Sequence, residues 1–244
     1  MGMRREWTGR LAADGEDAPF ACPVCGARVL KWARFRPAPR LFRLFSGGPR
    51  RLCPGCGSYE RTRHMALWLR QQAILEQHPR FLHCAPEYGL ERWLRQTLGD
   101  RYVTTDLAMR GVDVHTDLTA TVFPDASFDV VLCSNVLEHI EEDRKAMAEI
   151  FRILRPGGHA IIQVPVRGET TYEDPTITRP RDRVKHFGQS DHVRYYGRDI
   201  AGRLAEAGFL VEELYMPDCL NLDRKTIERY HIAKREPVHW CTKA

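Results

Sequence analysis

The sequence has no long apolar run, and none of its stretches approaches the roughly 20 consecutive apolar residues that cross a bilayer. Its first residues, MGMRREWTGR, do not contain the apolar segment of a secretory signal. Internal repeats and low-complexity tracts are also missing. The 244 residues are enough for one α/β domain with a small attachment. We therefore expect a cytoplasmic protein that does not associate with a membrane.

Acidic residues are missing between Ala18 and Tyr59, and the charge of the chain is uneven as a result. Residues 1–80 carry a balance of +9, whereas the remaining residues carry −4. The basic character therefore belongs to the N-terminal part and not to the whole protein. Four of the eight cysteines are scattered. In a reducing compartment we expect these four to be small buried residues, not disulfides.

The other four cysteines form two CxxC pairs, CPVC at 22–25 and CPGC at 53–56, each followed by glycine. Two thiolates three positions apart can grip one ion, and the glycine allows a tight turn. Four thiolates give a closed tetrahedral site, which is typical of structural zinc. A thiol redox pair fits poorly with two such units. The predicted zinc ligands are Cys22, Cys25, Cys53 and Cys56.

Basic and aromatic residues alternate between the two cysteine pairs. They are Arg28, Lys31, Arg34, Arg36, Arg40, Arg43, Arg50 and Arg51, with Trp32, Phe35, Phe42 and Phe45. Such a surface can hold RNA through phosphate contacts and base stacking. It fits equally an acidic carrier protein, a nucleotide-linked sugar or another subunit. A solvated face with its aromatic rings tucked under the cysteine module explains it as well.

The chain divides into four predicted parts. Residues 1–19 form a polar N-terminal segment, 20–61 a zinc ribbon, 62–79 a linker helix, and 80–244 a larger domain. In this domain apolar runs alternate with helical patterns, which indicates a parallel sheet with helical crossovers. Phe128–Ser134 is almost continuously apolar, as expected for a strand buried on both faces. We expect residues 167–196 to form a long polar loop, of the kind that covers substrates.

Several blocks of this domain carry a family resemblance. They are FLHCAPEYGL, YVTTDL, HTDLTA, FPDASFDVVLCSNVLEHI and EIFRILRPGGHAIIQVPV. In order and spacing they resemble the class I S-adenosylmethionine-dependent methyltransferases. A dinucleotide-dependent dehydrogenase would need a GxGxxG loop, which is missing here. The resemblance implies a Rossmann-like α/β sheet, mostly parallel with its last strand antiparallel, and S-adenosylmethionine as cofactor.

The resemblance also implies a cofactor site beyond the strand ends. The family's first loop usually has an acidic residue followed by GxGxG, where this chain has His83, Ala85, Glu87 and Gly89. The carboxylate of Glu87 is a candidate partner for the methionine ammonium. The alternative is a changed loop that no longer binds cofactor.

Two aspartates complete the predicted cofactor site. Asp106, followed by Leu107, can accept both ribose hydroxyls, or can simply cap a helix. Asp117 matches the acid that accepts the adenine amino group, and the N–H of Leu118 matches the group that meets the ring. Asp117 can also be a plain turn residue. Ser134 and Asn135 are predicted to line the methyl channel.

Two histidines are candidates for activating the methyl acceptor, because a base with a pKa near ambient pH works best. His139 follows the strand Phe128–Ser134, and in some relatives a histidine here acts as base, whereas in others it only shapes the pocket. His192 lies in QSDHVRYY. In that segment we expect Arg194 to hold a carboxylate or phosphate, and Tyr195 or Tyr196 to stack on a ring. A loop packed over the sheet explains the same residues.

The sequence therefore predicts an S-adenosylmethionine-dependent methyltransferase that acts on a hydroxyl or nitrogen of a small polar molecule, such as a sugar or specialised metabolite. The first alternative is an RNA methyltransferase that docks its substrate on the basic ribbon. The second is a non-catalytic binding module, for which the altered first loop is the argument.

Overall fold

The computed structural model describes residues 9–35, 50–77, 79–215, 218–232 and 237–244. The chain divides into two compact units. Unit 1 is drawn from residues 1–73, 87–93 and 217–234, and unit 2 from residues 74–86, 94–216 and 235–244. Each unit thus gathers segments that are distant in the sequence, where the sequence analysis expects contiguous parts.

The described elements have the following bounds in chain order. The strands are β1 (Arg10–Leu11), β2 (Phe20–Ala21), β3 (Arg28–Lys31), β4 (Ala33–Phe35), β5 (Arg50–Leu52), β6 (Phe81–Cys84), β7 (Tyr102–Asp106), β8 (Val114–His115), β9 (Phe128–Ser134), β10 (Leu154–Gln163), β11 (Tyr172–Glu173), β12 (Arg194–Tyr195), β13 (Leu210–Tyr215) and β14 (Pro237–Thr242). The helices are α1 (Glu60–Gln71), α2 (Tyr88–Leu98), α3 (Asp143–Ile153), α4 (Pro180–Phe187), α5 (Ile200–Glu206) and α6 (Arg224–Tyr230).

Short antiparallel strands surround the cysteine pairs of unit 1. The first three form a sheet in the order β1-β3-β2, and β4 pairs with β5. The chain between β4 and β5 lies outside the described residues, and with it five of the basic and aromatic residues singled out above: Arg36, Arg40, Phe42, Arg43 and Phe45. Strands of two to four residues bury little apolar surface, so a module of this kind depends on an additional cross-link.

Helix α1 of unit 1 is shorter than the sequence predicts. Its buried face contains Met65, Trp68 and Leu69, which recur at helical spacing. The linker helix is predicted over residues 62–79, but α1 ends at Gln71. Ala73 has a left-handed φ of +52°, which stops the helix.

Arg63 is fully buried in unit 1 and joins segments that are far apart in the sequence. Its Nε and Nη2 donate to the carbonyl oxygens of Tyr230 and His231, at 2.8 and 2.6 Å. Its Nη1 donates to the carbonyl oxygen of Ser58 at 2.7 Å. The guanidinium carbon also lies 4.2 Å from the ring centroid of Trp32. Arg63 therefore links the second cysteine pair to the end of α6.

Unit 2 is built on a seven-stranded sheet in the order β13-β14-β10-β9-β6-β7-β8. Neighbouring strands from β8 to β10 run parallel, and β14 runs antiparallel to both β10 and β13. The expected fold, a mostly parallel Rossmann-like sheet with an antiparallel last strand, is confirmed. β9 has the bounds that its apolar run predicts, because every residue but Asp129 is buried.

Residues 167–196 contain more structure than the expected loop. β11 and β12 pair antiparallel, and α4 lies between them. Pro180 begins α4, and Gly188 ends it with a left-handed φ of +80°, two positions that favour these residues. The high charge of PRDRVKHF hides the helical pattern, since only Phe187 of α4 is buried.

Candidate functional site

The carboxyl ends of β6, β7 and β9 lie side by side in unit 2, because Cys84 pairs with both Thr105 and Cys133. Ligands of open α/β sheets bind at this edge. Directly after β6, Ala85 has a left-handed φ of +49°, and its N–H donates to the carbonyl of Thr105 at 2.8 Å. A residue with a Cβ is strained in this conformation, which glycine adopts freely. Such strain is concentrated at functional sites.

Asp106 ends β7 at the same edge. Its Oδ1 accepts hydrogen bonds from the backbone N–H groups of Ala108 and Met109, at 2.8 and 2.7 Å. The next residue, Leu107, exposes 68% of its surface. The Asp106 carboxylate therefore closes a turn, and no helix is assigned to the described residues between β7 and β8. The exposed apolar side chain of Leu107 beside it suits a flat ring.

Asp117 and Leu118 differ in their surroundings. Asp117 is exposed, and its Oδ1 accepts bonds from the N–H and the hydroxyl of Thr119, both at 2.8 Å. Leu118 is buried and its side chain belongs to the apolar core of unit 2. Only the backbone of Leu118 is therefore suited to a ligand contact, as the family resemblance implies.

Ser134 and Asn135 form the end of β9. Asn135 has a left-handed φ of +56°, and its N–H donates to the carbonyl of Gln163 at 2.7 Å. The side-chain amide of Asn135 donates to the Ser134 hydroxyl at 3.1 Å, and this hydroxyl donates to the Gln163 side chain at 3.2 Å. Two residues at the strand ends, Ala85 and Asn135, thus have a left-handed backbone conformation. The sequence does not reveal this conformation.

Two further residues of the predicted first loop, Glu87 and Gly89, belong to unit 1. Nε of Arg61 donates to Oε1 of Glu87 at 3.2 Å, and both side chains are 17% exposed. Burial raises the pKa of Glu87, and the neighbouring Arg61 opposes this shift. Because the carboxylate already has a cationic partner, its predicted contact with a methionine ammonium does not match this geometry.

Gly89 lies against the second cysteine pair of unit 1. A Cβ at this position would lie 2.9 Å from the carbonyl oxygen of Cys56 and 3.2 Å from its Sγ. Glycine is therefore required here by close packing on a predicted zinc ligand. This packing is not part of the family resemblance, which places Gly89 only in the first loop of the cofactor site.

His83, which takes the family's acidic position, is fully buried in β6. Its Nδ1 lies 2.7 Å from the hydroxyl of Tyr102, and burial lowers its pKa to about 3. The imidazole is therefore neutral at physiological pH and does not replace the missing charge.

His139 and His192 are brought together beyond the end of β9. Their ring centroids are 4.6 Å apart, and the rings are nearly perpendicular. His192 is 2% exposed, whereas the side chain of His139 is 33% exposed and its Nδ1 lies 3.3 Å from Oδ2 of Asp191. Glu138, which is 1% exposed, adjoins both rings in the same cluster. The sequence pattern points to both histidines but to neither Glu138 nor Asp191.

Arg194 is buried and does not have the position expected of a substrate-binding residue. Its guanidinium donates to the backbone carbonyls of Leu137, Ile140 and Glu141, and Nε donates to Oε2 of Glu173 at 2.8 Å. These acceptors occupy the donors that a substrate carboxylate would need. The prediction for Arg194 is therefore corrected, because the side chain fastens β12 to the turn after β9.

The two tyrosines after Arg194 also have structural surroundings. Tyr196 is fully buried, and its hydroxyl donates to Oδ2 of Asp143 at 2.7 Å, so it cannot stack on a substrate ring. Burial raises the pKa of Tyr196 well above its usual value. Tyr195 is half-buried, and the guanidinium of Arg167 lies 4.5 Å from its ring centroid. Of the two, only Tyr195 keeps a partly open face.

A cavity of about 600 Å³ also lies in unit 2, among the first turn of α3, β11 and Arg183. Its cationic side chains already face carboxylates, as in the pairs Arg183–Glu141 at 3.2 Å and Arg203–Glu173 at 2.8 Å. Hydrogen bonds from Arg203 and Arg194 lower the pKa of Glu173 to about 2. The matched charges of its walls do not point to a charged ligand.

The four predicted zinc ligands converge in unit 1. The Sγ atoms of Cys22 and Cys56 are 3.7 Å apart, as are those of Cys25 and Cys53, and all four lie within 4.8 Å of one another. A tetrahedral ion with Zn–S bonds of about 2.3 Å holds its sulfurs roughly 3.8 Å apart. The separations are far too long for disulfides. The residues therefore fit a four-thiolate zinc ion.

The described part of the basic surface offers little for base stacking. Trp32 is 4% exposed and lies between Arg63 and His231. Arg28 is exposed, and its guanidinium donates to the backbone carbonyl of Glu16.

Across the described ranges, no helix is long and apolar enough to cross a membrane.

Comparisons with known proteins indicate the family of the larger domain. Residues 52–162 match the family model of a methyltransferase domain. A relative from Mycolicibacterium smegmatis, named "Probable S-adenosylmethionine-dependent methyltransferase", is 39% identical over 74 residues, which are 28% of this chain and 29% of the relative. The "Ubiquinone/menaquinone biosynthesis C-methyltransferase UbiE" of Hydrogenovibrio crunogenus is 30% identical over 114 residues, which are 46% of this chain and 42% of the relative.

The chain spans less than half of the length of both curated relatives. Among solved structures, a SAM dependent methyltransferase from Archaeoglobus fulgidus matches with a TM-score of 0.50 and 14% identity. The match covers 77% of this chain and 95% of that one. At this identity the likeness shows the fold alone.

Proposed function

We propose that this chain, which contains a methyltransferase domain over residues 52–162, is an S-adenosylmethionine-dependent methyltransferase that acts on a hydroxyl or nitrogen of a small polar molecule. One observation carries the proposal. The sheet edge that carries Asp106 also carries, beyond the end of β9, a histidine pair with an adjacent carboxylate.

The residues of this edge fit the cofactor in the following way. Asp106 has a carboxylate with acceptor capacity for ribose hydroxyls, since the two turn bonds both go to Oδ1. Leu107 offers an exposed apolar surface to the adenine ring, and Asp117 and the backbone of Leu118 lie one strand further along. Ala85 and Ser134 lie at the ends of β6 and β9. The bound cofactor would place its sulfonium methyl group next to them. Gly89 supports the first loop.

We assign the binding of the methyl acceptor to the region of the histidine pair, His139 and His192. Nδ1 of His139 lies 3.3 Å from Oδ2 of Asp191, so the carboxylate would favour a proton on Nδ1 and leave Nε2 of the ring for an acceptor proton. Asn135 and Tyr195 are the remaining candidates for acceptor contacts, whereas Arg194 and Tyr196 position the segment. Methyl transfer is a displacement in which alignment and the exclusion of water supply much of the rate.

The zinc ion proposed for Cys22, Cys25, Cys53 and Cys56 has a structural role. Four thiolates leave no open position for a substrate, so the ion would hold the short strands of unit 1 together. Hydrogen bonds from the neighbouring thiols, Cys25 first, lower the pKa of Cys22, whereas the Cys22 thiol raises that of Cys53. Without a cation the four groups compete for their protons, and zinc removes this competition.

A small-molecule acceptor is favoured over RNA or an acidic carrier protein. The macromolecular alternatives depend on the basic and aromatic side chains between the cysteine pairs. Within the described ranges, Trp32 is buried and unsuited to stacking. The relative from Hydrogenovibrio crunogenus is named as a ubiquinone/menaquinone biosynthesis C-methyltransferase, and one from Clavibacter sepedonicus as a demethylmenaquinone methyltransferase. A ring carbon is therefore the second candidate acceptor atom.

The test is transfer of a labelled methyl group from S-adenosylmethionine to extract fractions that are separated into small molecules, RNA and proteins. We expect label in the small-molecule fraction, and a His139→Ala variant should lower the rate at least about tenfold because it removes the proton acceptor. His186→Ala is the control, since His186 is exposed and bonded to Tyr172 outside the cluster. Label in RNA or protein alone, or none in any fraction, would contradict the proposal.

A further inference from the structure

We propose that Glu138, His139 and His192 form a second metal site, which binds a divalent transition ion such as Zn²⁺ or Mn²⁺. Each residue offers one ligand atom, and the three atoms lie within 4.8 Å of one another. Ions of this kind bind imidazole nitrogen and carboxylate oxygen at about 2.0–2.2 Å, so their ligand atoms lie roughly 3–3.5 Å apart. Small rotations of the three side chains would bring the ligand atoms from within 4.8 Å to this shorter separation.

The backbone brings the three residues together from distant parts of unit 2. Glu138 and His139 lie in the 3₁₀ turn Leu137–His139 after β9, and His192 lies just before β12. The N–H of Val193 donates to the carbonyl oxygen of Glu138 at 2.9 Å, which fixes His192 opposite this turn. The two imidazoles then meet at 4.6 Å between their centroids.

Arg194 stabilises this arrangement through hydrogen bonds to the turn and to Glu173. Its guanidinium donates to three carbonyls of the segment 137–141 and to the carboxylate of Glu173, and the side chain is 4% exposed. The turn and the strand are thus fastened at several points. Arg194 is a positioning residue for the cluster, which explains why a buried cation stands next to two histidines.

The donor set suits a site with an open position. Two histidines and one carboxylate occupy three positions of an ion and leave the others for water or a ligand. Glu138 and His192 are buried, whereas a third of the His139 side chain is exposed, so the open side faces outward along His139. Asp191, 3.3 Å from Nδ1 of His139, would orient that ring as an outer carboxylate, which leaves Nε2 to bind the ion.

This metal site extends the proposed function, and the chemical role of the ion rests on that function. An ion at this position would bind a hydroxyl oxygen of the acceptor and lower the pKa of that hydroxyl, so that its proton would pass to water. The oxygen would then form a bond to the methyl carbon of the cofactor while the carbon–sulfur bond breaks. His139 would then serve as a ligand, and the ion would take over the activation assigned to the imidazole. The acceptor atom is accordingly an oxygen, in preference to nitrogen or carbon.

The test counts bound zinc in the full chain after equilibration with excess zinc and removal of the free ion. We expect about two ions per chain in the wild type, one in the thiolate site and one in the cluster. Glu138→Gln and His192→Gln should each retain about one. His139→Gln, at a partly exposed position that tolerates substitution, should weaken the second ion at least tenfold by calorimetry.

Matched controls separate the cluster from general damage. Glu141→Gln and His186→Gln change exposed residues outside the three ligands and should retain two ions, whereas Cys53→Ser should lose only the thiolate-bound one. Equal zinc content in the wild type and His139→Gln, with unchanged affinity, would overturn the site. Binding of S-adenosylhomocysteine is measured on the same samples, so a failure of the proposed function is seen separately.

Discussion

Replacing Gly89 by alanine tests whether the cysteine module and the first loop of the domain depend on each other within unit 1. The added Cβ would lie 2.9 Å from the carbonyl oxygen of Cys56, 3.2 Å from its Sγ and 3.5 Å from its Cβ. The closest atom belongs to the backbone of a proposed zinc ligand, which cannot move aside cheaply. Overpacking of this kind costs about 1–3 kcal/mol.

The expected result is a lower melting temperature, by roughly 2–4 °C for each kcal/mol in a chain of this size. Zinc should also be lost faster to a chelator, because the strain falls on Cys56. Gly202→Ala is the matched control, since no heavy atom lies within 4 Å of a Cβ at this position of α5. This control should be neutral or slightly stabilising. If Gly89→Ala melts and retains zinc like the control, the packing argument is refuted.

Three other predictions follow from strain, buried charge and burial of a histidine. Ala85→Gly should stabilise the chain by about 0.5–1 kcal/mol in urea unfolding, because it relieves a left-handed alanine; a loss of stability would contradict this. Arg194→Met should lower the free energy of unfolding, measured in urea, by about 3–5 kcal/mol, because Glu173 and several carbonyls lose a buried partner. The control Arg198→Met, at an exposed position, should change the free energy of unfolding little. His83 has a pKa lowered from 6.5 to about 3, so the unfolded chain binds its proton first and stability falls as pH drops below 6.5. His83→Asn should make urea-derived stability less steep between pH 6.5 and 4, and an unchanged slope would refute the assignment.

The sequence predicts the central sheet well, for identifiable reasons. β9 is buried on both faces, and its apolar run alone defines its bounds. Gly99, with a left-handed φ of +56°, directly follows the end of α2, a position that favours glycine. α4 was missed because its charged residues leave only one buried position, although Pro180 and Gly188 mark its ends.

The candidate site is predicted less completely, because burial and long-range pairing are not local properties. Asp106 is the last residue of β7, and such a strand end can be read from the sequence. Arg194 and Tyr196 resemble ligand-binding residues in sequence, yet their partner Asp143 lies some fifty residues earlier in the chain. The pairing of Glu87 with Arg61 is likewise invisible before the chain is folded.

Calorimetric titration of S-adenosylhomocysteine tests the central claim most directly. The account predicts that the wild type binds and that Asp106→Ala weakens binding about 10–100-fold, because two hydrogen bonds to a charged group are lost. Asp100→Ala, which changes an exposed aspartate before β7 at the opposite end of the strand, should bind as the wild type does. Equal affinity in Asp106→Ala and the wild type, or no binding by either, would contradict it.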